Sequence, residues 1–180
     1  RILVTGNELL PEGTRPDGHR IADSNGPMLR ALVERDGGTV DFPGIVADTM
    51  ESIREACLAP SDIVLVSGGS SVGQEDFAPR VVAELGTLAI HGIAMRPSSP
   101  AGMGQIGDRL VFLLPGNPVS CLCAYDFFAG RAIRQLGGLA AAWPEQGFVL
   151  AGPASGSVEA VRAEASVRGL ANVRILTDVS

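Results

Sequence analysis

Two short segments of this chain combine hydroxyls, backbone amides and glycine in a way that suits a polar or anionic ligand. The first reads Ser67-Gly68-Gly69-Ser70-Ser71-Val72-Gly73, and the second Leu114-Pro115-Gly116-Asn117-Pro118-Val119-Ser120. Each lies between a β-type apolar run and a helix-type run. Glycine lets the main chain approach a ligand closely, and helix N-termini favour negative charge. Three glycines and three serines in the first loop exceed what a turn needs. Carboxylates stand nearby in sequence. Glu8 follows Gly6 after the first apolar run, where a carboxylate suits a hard cation such as Mg2+. Asp48 precedes a helical pattern with Glu51 three residues on, so a capping box explains it locally. Asp76 is an N-cap candidate for the next helix, a role worth about 1 kcal/mol. Capping and ligand contact can coexist at both. Ser120 falls in the first turn of a helix opened by Asn117-Pro118, where its hydroxyl can face an anion. No Ser/His/Asp triad is arguable, and His91 reads as structural.

These residues need strand ends and helix starts to hold them, and the hydrophobic pattern supplies both. Ile2–Thr5 and Ile63–Ser67 read as buried strands feeding loops. Asp23-Ser24-Asn25 offers N-cap residues to a helix ended by Gly37-Gly38. Residues 39–46 read as a strand broken by Pro43-Gly44, and residues 48–60 hold a short helix. A helix over residues 77–85 and a β-like run over 87–95 follow. Residues 102–106 and 110–114 read as a hairpin turning at Gly107-Asp108. A long helix then runs from Pro118 to about Leu136. This alternation predicts a three-layer α/β domain with a mostly parallel sheet over residues 1–138. In such sheets ligands bind at the carboxyl ends of the strands. Residues 139–147 read as a linker, and residues 148–180 as part of a small β-rich C-terminal domain.

The bulk numbers narrow the function classes. With 180 residues and 46% hydrophobic content, the chain can bury a substantial core. A formal net charge of -6 argues against nucleic acid as a main partner. No run approaches the ~20 apolar residues of a membrane span. Every basic residue except histidine is arginine, so an anion contact must come from arginine, histidine or a backbone amide. Cys57, Cys121 and Cys123 match no zinc pattern, and Cys121 and Cys123 cannot share a helix face. They read as reduced, structural thiols of a cytoplasmic protein. The first residue is Arg1, within an apolar run, as expected for a part of a longer protein.

The wording of the loops carries a family resemblance. Thr5-Gly6-Asn7-Glu8-Leu9 resembles a T-G-D-E-L motif. With Asp23-Ser24-Asn25, Ser67 through Gly73, Asp76-Phe77, Arg96-Pro97-Ser98-Ser99-Pro100 and Leu114 through Ser120, it makes a set. Together these resemble the molybdopterin-binding domain of the molybdopterin molybdenumtransferase family, over about residues 1 to 138. The resemblance implies insertion of molybdate into adenylylated molybdopterin with loss of AMP, assisted by Mg2+, in a homodimer.

It also implies a site. Gly6, Asp23, Ser24, Asn25, Ser67, Gly68, Gly69, Ser70, Ser71, Gly73, Pro115, Gly116, Asn117 and Pro118 would bind the pterin substrate. Asp48, Asp76, Arg96, Ser99 and Ser120 would carry the chemistry, and Glu8 and Asp76 the metal. Three departures from the family wording stand out. Asn7 replaces an aspartate, Ser70 an apolar residue, and Arg96 and Ser99 the two lysines of K-P-G-K-P. One lost charge-assisted hydrogen bond is worth roughly 1.5–3 kcal/mol. The oxyanion site should therefore be weaker, or use another arginine such as Arg109. Two other readings share the fold: molybdopterin adenylylation, and a carrier or sensor that binds the pterin without inserting metal.

Overall fold

Strands that are apolar at every position must be covered on both faces, and this sheet is. The computed structural model describes residues 1–68 and 76–140, all within a compact unit spanning residues 1–142. The expectations for Gly69, Ser70, Ser71 and Gly73, and for the linker and β-rich segment beyond residue 140, lie outside the described residues. In chain order the elements are β1 (Ile2–Thr5), β2 (Leu9–Leu10), β3 (Ile21–Ala22), α1 (Asn25–Arg35), β4 (Ile45–Val46), α2 (Met50–Leu58) and β5 (Ile63–Ser67). Then come α3 (Phe77–Leu85), β6 (Thr87–His91), β7 (Gly102–Ile106), β8 (Arg109–Leu114), α4 (Pro118–Ala124), a π-helical turn (Tyr125–Ala129) and α5 (Gly130–Leu136).

The main sheet has the order β4-β1-β5-β8-β7-β6. β4, β1, β5 and β8 pair in parallel, and only β7 runs against its neighbours. β2 and β3 form a separate parallel pair. Strand alternation distributes the core. Ile2, Val4, Leu65, Phe112 and Leu114 face α1 and the α4–α5 stretch through Leu29, Val33, Cys121, Tyr125 and Ile133. Leu3, Val64, Val66, Val111 and Leu113 face α2 and α3 through Ile53, Cys57, Val81 and Val82. The expected three-layer α/β architecture with a mostly parallel sheet is what forms.

Four local expectations change. The strand expected over residues 39–46 shrinks to Ile45–Val46. Ile2 N still reaches the Asp41 carbonyl at 2.9 Å, but Pro43-Gly44 interrupts the pairing. The β run expected to residue 95 ends at His91, because Gly92 turns the chain at φ +84°. The cap of α2 is Thr49 rather than Asp48: its hydroxyl accepts from Ser52 N at 3.2 Å, one residue later than the capping-box reading placed it. The long C-terminal helix reaches Leu136 but contains the π turn.

Candidate functional site

The chain leaves β1 to form β4 on one side of it, then crosses to form β5 on the other. The order of a doubly wound sheet reverses at such a point, and the crevice outside the carboxyl ends of the strands there is where ligands bind. Thr5 ends β1 and is followed by Gly6, Ser67 ends β5 and is followed by Gly68, and Leu114 ends β8 beside them. Gly68 has φ +105°, and a Cβ there would land on the Thr5 carbonyl oxygen, so only glycine fits. Its amide donates to the Leu114 carbonyl at 3.4 Å, joining the two glycine loops.

Asn25, the first residue of α1, fastens both loops to that helix. Its Nδ2 donates to Ser67 Oγ at 2.9 Å and to the Gly116 carbonyl at 2.8 Å. A carbonyl only accepts, so the amide orientation is fixed by this contact. Asn25 Oδ1 is left buried without a partner. Asp23 lies two residues earlier and is also buried. Its Oδ1 accepts from the amides of Asn25 and Gly26, both at 2.9 Å, at the start of α1. Asn117 caps α4 as expected, accepting from Val119 N at 3.1 Å and Ser120 N at 3.3 Å. Ser98, passed over by sequence reasoning, is fully buried. It donates to the Ser120 carbonyl at 2.7 Å, docking the Arg96–Pro100 segment against α4.

These contacts surround a cavity of about 390 Å3. Its wall includes Thr5, Glu8, Asp23, Ser24, Asn25, Ser67, Gly68, Pro115, Gly116, Asn117, Pro118 and Ser120, with Pro97 and Pro100. Most of the residues singled out from sequence therefore converge, although they span more than a hundred positions. A larger cavity, about 760 Å3, lies at the opposite ends of the strands between Arg1, Asp62 and Leu110. It contains none of those residues, and size alone does not make it the site.

The remaining candidates fall at the margin of the smaller cavity or away from it. Gly6 supports Glu8: a Cβ on Gly6 would sit 2.8 Å from Glu8 Oε2. Asp48, released from capping, accepts from Thr5 Oγ1 at 3.0 Å at the end of β1. Asp76 occupies the N-cap position of α3, with Oδ1 buried and unpartnered. Burial pushes its carboxyl up to about 6, with Asp48 adding to the rise and His91 opposing it. His91, which sequence reasoning set aside, is thus an electrostatic neighbour of Asp76. β6 runs parallel to β8 two strands over, which brings His91 to the same edge of the sheet as the glycine loops. Arg96 and Ser99 are exposed and stand outside the cavity wall.

Arg109 cannot substitute for them. It starts β8, five residues before the site end at Leu114, or roughly 16–17 Å away along the strand. Cys57 and Cys121 are buried, and burial raises them to about 11 and about 12, so they stay neutral thiols. Among the described residues no three His, Cys, Asp or Glu cluster as a metal cage. No helix among them is long and apolar enough to cross a membrane.

Comparison with known proteins agrees with this geometry. Residues 1–135 match the family described as "Probable molybdopterin binding domain". A molybdopterin molybdenumtransferase of Nostoc sp. is 36% identical over 149 residues, covering 79% of this chain and 34% of the relative. One from Staphylococcus aureus is 32% identical over 149 residues, covering 80% and 35%. The crystal structure of a molybdopterin biosynthesis MoeA protein from Pyrococcus horikoshii superposes with a TM-score of 0.68 at 34% identity, over 76% of this chain and 34% of that one. The chain thus spans about a third of the length of these relatives.

Proposed function

The chain belongs to the molybdopterin-binding domain family, and from that premise we propose that it is the pterin-binding part of a molybdopterin molybdenumtransferase. Its reaction would be insertion of molybdate into adenylylated molybdopterin with release of AMP. One observation carries this reading: Ser67-Gly68 at the end of β5, Pro115–Pro118 after β8, the Asp23–Asn25 turn and the prolines Pro97 and Pro100 line one cavity at the switch point of the sheet.

The parts then divide by chemistry. Ser67, Gly68 and Gly116 let backbone approach the pterin substrate, and Asn25 holds the two loops in register. The Ser120 hydroxyl, which donates to Asn117 Oδ1 at 3.4 Å, would turn to molybdate as substrate, and the Arg96 guanidinium would supply a positive charge. Ser99 adds a hydroxyl without charge. The Asp48 charge acts on Asp76, and Asp76 keeps an unpartnered oxygen. That donor set fits Mg2+, which is held by one or two carboxylates and completes its shell with water and substrate phosphate. Bound there, Mg2+ would neutralise phosphate charge as AMP departs. Glu8, from the cavity wall, is a further oxygen donor. Positioning of pterin and oxyanion, rather than a nucleophilic side chain, would supply most of the rate effect. The cytoplasm and a homodimer are the setting this reading expects.

Single-turnover AMP release from adenylylated molybdopterin with Mg2+, with and without molybdate, tests the proposal on the full-length protein. Molybdate-dependent release should occur, fall at least tenfold in Arg96→Ala, and persist in Arg109→Ala. Tight pterin binding with no molybdate-dependent release would overturn insertion and leave a carrier or sensor. Asn7 and Ser99, each lacking a charge the insertion chemistry would use, favour that second reading.

A further inference from the structure

The wall of the 390 Å3 cavity carries two carboxylates, Glu8 and Asp23, and no arginine, lysine or histidine among its described residues. Glu8 and Asp23 bring negative charge that no basic side chain of the described wall offsets, so a phosphate or an oxyanion is disfavoured beside them. A neutral group rich in N–H donors is favoured there. Asp23 is 6% exposed, and its Oδ1 is fully used by the Asn25 and Gly26 amides. Its Oδ2 accepts no hydrogen bond from the described residues and lies over the α-carbon of Gly26. Asn25, also 6% exposed and on the same wall, keeps Oδ1 without a partner. Acceptors are therefore in excess at the start of α1. Four prolines, Pro97, Pro100, Pro115 and Pro118, line the same space. Their rigid apolar rings suit the faces of a flat heterocycle.

We infer that this cavity selects the 2-amino-4-oxopyrimidine edge of a pterin, with Asp23 Oδ2, the oxygen the α1 amides leave free, accepting from its 2-amino group. Resting on the pterin-binding reading above, the assignment adds an orientation. The donor edge goes to the start of α1, and the anionic end of the substrate lies toward Arg96, next in the chain to the wall residue Pro97. Asp23 is then the residue that determines specificity for the heterocycle.

The test titrates pterin, which lacks both phosphate and dithiolene, against the full chain by its own fluorescence. Lumazine, with an oxygen in place of the 2-amino group, is the comparison: it would set an acceptor against the Asp23 carboxylate. Pterin should bind saturably and at least tenfold more tightly than lumazine. Asp23→Asn should weaken pterin by about 10- to 150-fold, the range of one charge-assisted hydrogen bond, and shrink the discrimination. Asparagine still accepts from the Asn25 and Gly26 amides, so α1 keeps its start. Equal binding of pterin and lumazine by the unaltered protein would overturn the inference without any variant. So would no saturable pterin binding up to millimolar concentrations, or an Asp23→Asn variant that binds pterin unchanged. Molybdopterin itself, titrated in parallel, separates the two readings. If it binds while pterin shows no preference, only the orientation fails; if it does not bind, the proposed function fails with it.

Discussion

Asn25→Ala should loosen the junction of the two glycine loops at a modest cost in stability, and the structure sets the size of that cost. The change removes two buried hydrogen bonds, to Ser67 Oγ at 2.9 Å and to the Gly116 carbonyl at 2.8 Å. At about 0.5–1.5 kcal/mol each, these sum to roughly 2 kcal/mol. It also removes Oδ1, an acceptor buried without a partner, whose desolvation already costs the native state about 1 kcal/mol. Gly116 is exposed, so water can re-solvate its carbonyl. Alanine also favours the helix position slightly. The net loss should be about 1–2 kcal/mol. With a urea slope of about 2 kcal/mol/M, the midpoint followed by far-UV circular dichroism falls by about 0.5–1 M. A double-mutant cycle with Ser67→Ala should return a coupling of about 1 kcal/mol. Ligand affinity should drop more than stability suggests, because the clasp sets the spacing of both loops. Zero coupling, or a loss above about 4 kcal/mol, would refute the reasoning: the first denies the clasp, and the second denies that the orphan acceptor offsets its loss.

The pH dependence follows from Asp76. Its folded pKa is raised from the ordinary 3.8 to about 6 by burial, so the folded state holds the proton more tightly than the unfolded one. Its contribution to stability is fully present below about pH 3.8 and is lost as pH rises through about 6. Asp76→Asn should remove that part of the slope between pH 4 and 6, measured by urea unfolding at a series of pH values. An unchanged slope would show that the carboxyl is not held protonated by burial. Tyr125→Phe should destabilise by about 1.5–3 kcal/mol. The hydroxyl donates to the buried Asp36 carboxylate at 3.0 Å, and Arg35, at 2.8 Å, and the Arg134 guanidinium, at 3.8 Å, remain its partners. Phenylalanine keeps the ring packing, so a loss below about 0.5 kcal/mol would show that the two arginines satisfy Asp36 without the hydroxyl.

How much of the site was legible in the sequence depended on how locally each residue's role is decided. Asn117-Pro118 capping α4 was readable because cap and amides lie within three residues. The hairpin of β7 and β8 was readable because its turn, Gly107-Asp108, is local too. Asp48 was misread as a cap because two overlapping patterns compete over residues 48–52. Thr5, 43 positions away, draws Asp48 off and leaves the cap to Thr49. Asn25 was flagged by its motif, but its partners are 42 and 91 positions distant. Nothing local encodes those distances. Arg109 kept its charge in the sequence reading and lost its relevance only when β8 placed it at the far end of a strand.

By itself the sequence determined the central strands, the helices and the burial of their apolar runs. Runs apolar at every position must be strands covered twice, and glycine, proline and cap residues mark where each run ends. That information is local, because backbone conformation and side-chain hydrophobicity act within a few residues. Only the tertiary structure decided which strand ends meet and which polar atoms go unpaired. It also decided that the shared cavity is lined by acids rather than arginines. Those outcomes depend on the order of strands in the sheet, which brings residues a hundred positions apart within hydrogen-bond reach. Asn25 shows the result in one side chain: its Nδ2 is paired across 42 and 91 positions, while its Oδ1 is left without a partner.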